Sequence, residues 1–270
     1  FNLNGEWEYC INQDAKMAEY DGTILVPFSP ETLLSGVQKI VMPKDFLHYR
    51  KIFTLPEGFR KERVLLHFGA VDQECIVYLN GTKIGTHKGG YLAFSFDVTK
   101  YLKEVKNILT LCVRDMTEEK PHARGKQKLV KKGKYGSLFY TPQSGIWKTV
   151  WMESVAADYI EKVKITPMYD EEAIKINVFA KGNEDKARIK VFDNGTVIKE
   201  AEVVVNKNVL VNIGEFKPWT PETPHLYDLE ITYGKDKVMS YFGMRKFHVA
   251  RDKKGLLRFF MNNKPFFFNG

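Results

Sequence analysis

Ile76-Val77-Tyr78-Leu79-Asn80-Gly81-Thr82-Lys83-Ile84-Gly85 is the stretch that decides the fold. Asn-Gly between two strand-forming runs supplies both positive-φ positions of a two-residue type I′ turn, so the segment predicts a β-hairpin. Around that turn, Cys75, Val77 and Leu79 fall on one face of Glu74 to Leu79, because successive strand side chains alternate. Downstream, Asn107 to Arg114 sets Leu109, Leu111 and Val113 against Thr110 and Cys112. Tyr49 to Leu55, Tyr91 to Thr99 and Ile146 to Met152 read as further strands, and helical periodicity is almost absent. The first half is therefore all-β. Gly85-Thr86-His87-Lys88-Gly89-Gly90 reads as a loop, with no helix start behind it to hold a phosphate.

Beyond about Val155 the strands become shorter, more evenly spaced and lysine-faced. Ile174, Ile176 and Val178 alternate with Lys175 and Asn177, and Ala187, Ile189 and Val191 with Arg188 and Lys190. Asp193-Asn194-Gly195 is a second hairpin turn. Ile160–Thr166, Val197–Val205, Val209–Ile213, Leu226–Tyr233 and Val238–Val249 complete roughly seven strands, the pattern of an immunoglobulin-like sandwich. Lacking a Cys…Trp…Cys triplet, it is not an antibody-type domain. The last segment holds two apolar runs, Leu256 to Met261 and Phe266 to Phe268, joined across Asn262-Asn263-Lys264-Pro265 as a hairpin. Three phenyl rings in water forfeit about 1.5–3 kcal/mol apiece, so Phe266–Phe268 is expected exposed or paired with a neighbouring molecule, as in a lead-in to a further domain. The domain expectation is 1–154, 155–252 and a terminal hairpin at 253–270.

The composition, 44% apolar and 13% aromatic over 270 residues, supplies ample core and argues against disorder. No run approaches the ~18 uninterrupted apolar residues of a membrane helix, so no membrane partner is expected. The net charge of +8 is concentrated between Lys120 and Lys134, where seven Lys/Arg meet no acid. Nucleic-acid surfaces interleave aromatics with such cations, and this run has none before Tyr135, so it reads as a solvated loop and nucleic acid is excluded as a partner. Cys10, Cys75 and Cys112 lack any Cys-x-x-Cys pair and read as buried thiols in a reducing compartment, which makes cytoplasmic residence the expectation. No His-x-x-x-His pair, nucleophile elbow or phosphate loop occurs, so neither metal nor cofactor is expected. Both Asn-Gly-Thr triplets match a glycosylation sequon but are accounted for as turns. Glu118-Glu119 and Glu171-Glu172 are adjacent, whereas glycosidic chemistry needs two carboxyls facing each other across a sugar, about 5–10 Å apart. Residue by residue, the chain is two sandwiches without a catalytic centre.

Several segments resemble the N-terminal half of glycoside hydrolase family 2, the β-galactosidase, β-glucuronidase and β-mannosidase group. Leu3-Asn4-Gly5-Glu6-Trp7 is similar to the opening strand, Val26 to Glu31 to the early loop, and Tyr49-Arg50-Lys51-Ile52-Phe53 to the strand after it. Leu66 to Asp72, Val77 to Gly81, His87 to Tyr91 and Phe96 to Thr99 follow that family's jelly-roll core in order. Arg124 to Gln127 and Tyr140 to Trp147 resemble the segments closing that domain. Pro218 to Tyr227 and Tyr241 to Lys246 are similar to the end of the second sandwich, and Phe260 to Phe267 to the approach to a TIM barrel. Each motif is short; their collinearity carries the weight.

The resemblance implies a galactose-binding-domain-like jelly roll, then an immunoglobulin-like sandwich, then a truncated lead-in to the barrel. It implies a retaining hydrolase of terminal β-glycosides whose two catalytic Glu lie on the chain's own C-terminal barrel, beyond Gly270. Asn183-Glu184 copies the acid/base dipeptide but falls in Gly-Asn-Glu-Asp-Lys, a hairpin turn of the second sandwich, so no catalytic residue transfers. The first domain would edge the sugar subsite with Arg124, Lys126, Gln127 and Gln143 as donors and Tyr140 and Trp147 as stacking faces, with core packing the competing role for Trp147 and a solvated loop the competing role for Arg124 and Gln127. A carbohydrate is the implied partner, and the oligomeric state is left open. Two other readings stand beside it: a stand-alone carbohydrate-binding protein using Trp7, Tyr91, Tyr135 and Tyr140 as platforms, and a purely structural tandem.

Overall fold

A computed structural model describes residues 1–16, 19–119, 121–129 and 138–268. Tyr135, much of the basic run and Asn269-Gly270 lie outside the described residues. The chain divides into two compact units, Phe1–Val155 and Ala156–Gly270.

Unit 1 contains β1 (Gly5–Asn12), β2 (Gly22–Val26), β3 (Phe46–Phe53), β4 (Arg63–Phe68), β5 (Val71–Asp72), β6 (Glu74–Leu79), β7 (Thr82–Lys88), β8 (Phe94–Asp97), β9 (Asn107–Arg114), β10 (Gly145–Ile146) and β11 (Val150–Val155). An antiparallel sheet ordered β2-β1-β3-β9-β6-β7 forms one layer, and β11-β4-β8 with the short pair β10-β5 forms the other. Alternation explains the choice of face. Along β9, Asn107, Leu109, Leu111 and Val113 are buried while Ile108, Thr110, Cys112 and Arg114 are partly open. Leu109, Leu111 and Val113 join Trp7, Tyr49, Leu66, Phe68 and Ile146 in one core, where burying each large apolar side chain contributes about 1.5–3 kcal/mol. The turn at Asn80-Gly81 has φ of 52° and 83°, as the hairpin reading requires. Asn80 also ties the turn to its neighbours, donating to Tyr101 O at 2.8 Å and Asn107 Oδ1 at 2.9 Å while accepting from Ile108 N at 2.9 Å.

Two expectations need correcting in this unit. Gly85 to Lys88 is strand, not loop: β7 runs on beside β6 with Thr86 opposite Ile76 and His87 opposite Cys75. Ladder pairing outweighs glycine content there. The Ile146–Met152 run is two strands, because Gly145–Ile146 pairs with β5 whereas Val150–Val155 pairs with β4. Trp147 to Thr149 makes the step between them.

Unit 2 contains β12 (Tyr159–Met168), β13 (Ala173–Lys181), β14 (Lys186–Asp193), β15 (Thr196–Val204), β16 (Val209–Asn212), β17 (Tyr227–Tyr233), β18 (Asp236–Phe242), β19 (Phe247–Arg251), β20 (Leu257–Met261) and β21 (Lys264–Pro265). The sheets β12-β13-β16 and β15-β14-β17-β18 make a seven-stranded sandwich, filled by Ile174, Ile176, Val178, Ile189, Val191, Tyr227, Leu229 and Ile231. Together the two units have the all-β, sandwich-after-sandwich architecture expected. Asn183-Glu184 is not a hairpin turn: β12 and β16 already flank β13, so the chain must cross to the second sheet to begin β14. The Val238–Val249 run also breaks. Met244 bridges Pro218, and Phe247 starts a separate sheet, β19-β20-β21. Its hairpin turns at Asn262-Asn263, with φ of 49° and 64°. Beyond Pro265 the Phe266 amide still donates to Phe259 O at 2.9 Å; Phe266 is half-buried, and Phe267 and Phe268 are exposed.

Candidate functional site

The two closing segments of unit 1 lie side by side. Gln127 and Tyr140 form a parallel bridge in which Tyr140 N donates to Lys126 O and Lys128 N to Tyr140 O, each at 3.1 Å. Tyr140 OH accepts from Lys126 N at 3.1 Å, leaving the ring 48% exposed. Lys126 and the Gln143 side chain are exposed, and Arg124 is half-buried with Nη1 donating to Thr117 O at 3.2 Å.

Gln127 and Trp147 are placed differently. Gln127 is 6% exposed and its amide is engaged at both ends: Nε2 donates to Asp72 Oδ2 at 3.2 Å and Tyr91 OH at 3.4 Å, while Oε1 accepts from Gln143 N at 2.6 Å. Trp147 is half-buried, its Nε1 donating to Gly90 O at 2.7 Å, with Tyr91 edge-on at 6.0 Å and Lys148 Nζ over the ring at 4.7 Å. Of the four platform aromatics, Trp7 is core: it is 1% exposed and its Nε1 donates to Leu3 O. Tyr91 and Tyr140 remain at the surface, and Tyr135 lies outside the described residues.

Beneath this surface three carboxyls from three elements converge on Gln143 to Ile146. Glu31, in the loop after β2, accepts Ser144 N at 3.1 Å and Val41 N at 3.3 Å. Asp115, just after β9, accepts Ser144 Oγ at 2.8 Å and Thr117 N at 2.8 Å. Asp72 of β5 pairs with Gly145 through the backbone and holds Gln127 through its carboxylate. Two glycines make room: a Cβ at Gly90 would lie 2.4 Å from Asp72 Oδ1, and one at Gly145 would lie 2.1 Å from Tyr49 OH. Tyr49 OH accepts Ile146 N at 3.2 Å, and burial pushes its phenol up. Burial also raises the Glu31 carboxyl, against the hydrogen bonds from Ser144 and Val41. Asp72 is pushed up to about 7, first by burial, then by the charges of Asp115 and Glu31, with Gln127 pulling the other way.

These acids brace the closing segment rather than face a bound sugar, since Asp72 and Asp115 are 4% and 2% exposed and both Glu31 oxygens hold backbone amides. A search confined to adjacent acid pairs misses them. Their signal is an Asp closing the apolar run Ala70-Val71-Asp72 and another closing Leu111-Cys112-Val113-Arg114-Asp115, where a charge is costly unless bonded.

Comparison with known proteins places both units in one family. Residues 27–143 match the model described as the glycosyl hydrolase 2 galactose-binding domain-like, and residues 158–245 match that of glycosyl hydrolases family 2. The β-galactosidase large subunit of Latilactobacillus sakei is 28% identical over 84% of this chain and 35% of its own length. A putative β-glucuronidase of Formosa agariphila is 27% identical over 100% of this chain and 33% of its own. Among solved structures, the β-glucuronidase of Faecalibacterium prausnitzii superposes with a TM-score of 0.78 at 25% identity, covering 100% of this chain and 49% of that one. The chain spans about a third of the length of the curated relatives it matches and about half of such solved chains.

Proposed function

The chain belongs to glycosyl hydrolase family 2, and on that premise we propose that it is the non-catalytic N-terminal part of a retaining enzyme that cleaves terminal β-glycosides. The observation that carries the reading is the ordered match of both sandwiches to that family in a chain spanning about a third of its relatives. A retaining mechanism needs two carboxyls about 5–5.5 Å apart flanking the scissile bond, one as nucleophile and one as acid/base. The buried acids of unit 1 are engaged as braces, and both catalytic roles are assigned to the C-terminal barrel.

Unit 1 edges the sugar subsite with Lys126, Tyr140 and the Gln143 side chain at the surface and Arg124 half-buried beside them. Gln127 and Trp147 hold that edge in place. The exposed apolar face of the β19–β20 ladder, with Val249, Leu257 and Phe259 all more than half exposed, is the surface on which the barrel docks. Three free thiols support residence in a reducing compartment, the cytoplasm. A second reading, a stand-alone carbohydrate-binding sandwich, draws on the surface rings of Tyr91 and Tyr140.

Reading the gene downstream of Gly270 separates the two. The hydrolase reading expects several hundred codons alternating strand and helix patterns, and a product that hydrolyses a nitrophenyl β-glycoside with retention. A stop codon shortly after Gly270 would sink it.

A further inference from the structure

Asp72 reaches two points of the sugar-edging segment, Gln143 through a chain of hydrogen bonds and Trp147 through close packing against Gly90. On one side its Oδ2 accepts Gln127 Nε2, and Gln127 Oε1 in turn accepts the Gln143 amide at 2.6 Å. On the other its carboxyl fills the space left by the absent side chain of Gly90, whose carbonyl accepts the Trp147 indole at 2.7 Å. Its own backbone pairs with Gly145, between Gln143 and Trp147. Tyr91 lies across the same two routes, its OH accepting Gln127 Nε2 at 3.4 Å and its ring edge-on to Trp147 at 6.0 Å, but Asp72 is the buried carboxyl among them.

We propose that Asp72 is a positioning residue for this segment: gain or loss of its proton moves the Gln143 amide and the Trp147 indole together, through Gln127 and Gly90. The inference rests on the reading of Tyr140–Trp147 as a sugar edge. The groups facing Asp72 are Asp115 from the end of β9, Glu31 from the loop after β2 and Tyr91 from the loop after β7, and Tyr49 of β3 faces Glu31. All four are acids, so an ionised Asp72 is repelled by Asp115 and Glu31 and drawn toward the Gln127 amide. Protonated, it loses both the repulsion and the stronger pull on Gln127. The segment therefore has two settings, and the Asp72 proton selects between them near neutrality, because burial and its acidic neighbours lift this carboxyl to about 7.

The test is a pH titration of the isotope-labelled 270-residue chain, followed at the Gln143 amide and the Trp147 indole N–H. In the unaltered chain both resonances should move together with one midpoint near pH 7. Asp72→Asn keeps an acceptor for Gln127 and should abolish both movements. Gln127→Leu cuts one link, so Gln143 should stop responding while Trp147 still titrates. Resonances that titrate unchanged in Asp72→Asn, or that stay still in the unaltered chain, would overturn the proposal. Sugar is a separate arm. Added methyl β-galactoside or methyl β-glucuronide should shift Tyr140 and Gln143; if neither does while the pH response persists, the sugar-edge reading falls and the Asp72 relay stands.

Discussion

Replacing Asp72 by Asn should stabilise unit 1 at neutral pH and leave it nearly unchanged in acid. The unfolded carboxyl titrates near 3.9, and in the folded chain burial beside Asp115 and Glu31 lifts it to about 7. Below about pH 4 both states hold the proton and Asp72 makes no difference to folding. Between about 4 and 7 the folded state must take up a proton that the unfolded state has released, so stability is lost as pH rises, at about 1.4 kcal/mol per unit. Above 7 both states are ionised and the loss is complete. Three units give at most about 4 kcal/mol, less whatever the neighbouring acids recover by sharing the proton.

Asn carries no such penalty, and its side-chain oxygen can still accept Gln127 Nε2. The assay is urea unfolding followed by tryptophan fluorescence, since Trp7, Trp147 and Trp151 lie in unit 1 and Trp219 alone in unit 2. The variant should gain several kcal/mol at pH 8 and little at pH 4.5. Taking the difference between the two proteins removes the opposite acid sensitivity of Glu8, Asp97 and Glu153, whose carboxyls lie below their usual range. A variant less stable by the same amount at every pH would refute the reasoning, because a pH-independent difference means that the Asp72 charge carries no cost in the folded chain.

Gly145→Ala places a Cβ 2.1 Å from Tyr49 OH at a φ of +75°, so overpacking and left-handed strain together should cost about 2–5 kcal/mol, and an unchanged thermal midpoint would contradict the packing described. Asn80→Ala removes three hydrogen bonds of the β6–β7 turn, worth roughly 2–4 kcal/mol together, and should lower the urea midpoint of unit 1. Burial pushes the Cys10 and Cys112 thiols up to about 11 and Cys75 up to about 12. At pH 8 a thiol reagent should therefore modify them within minutes only in denaturant, and fast labelling of the native chain would be inconsistent with this.

The fold was legible wherever a local rule acts alone. Asn80-Gly81, Asn194-Gly195 and Asn262-Asn263 all turn with positive φ, and period-two alternation marked the buried faces of β6, β9, β13 and β14. It failed where sheet topology decides. Whether Asn183-Glu184 closes a hairpin depends on β16 occupying the free edge of β13, and β16 comes some thirty residues later in the chain. The run from Val238 to Val249 looks continuous because the alternation survives the step at Gly243 to Lys246 from one sheet to another.

The candidate site was half legible. The Arg124–Gln127 and Tyr140–Trp147 segments do lie together, but the division between surface and support within them was not readable, since Gln127 and Gln143 are the same residue type with opposite exposure. The bracing acids at 31, 72 and 115 are far apart in sequence and meet only through the tertiary fold.

That residues 1–270 brace and edge a reaction centre without containing one is tested most directly by incubating the purified chain with nitrophenyl β-galactoside, β-glucuronide and β-mannoside. No nitrophenol should be released above the blank. Turnover of any of the three that fell when Glu31, Asp72 or Asp115 was changed to its amide would contradict the account.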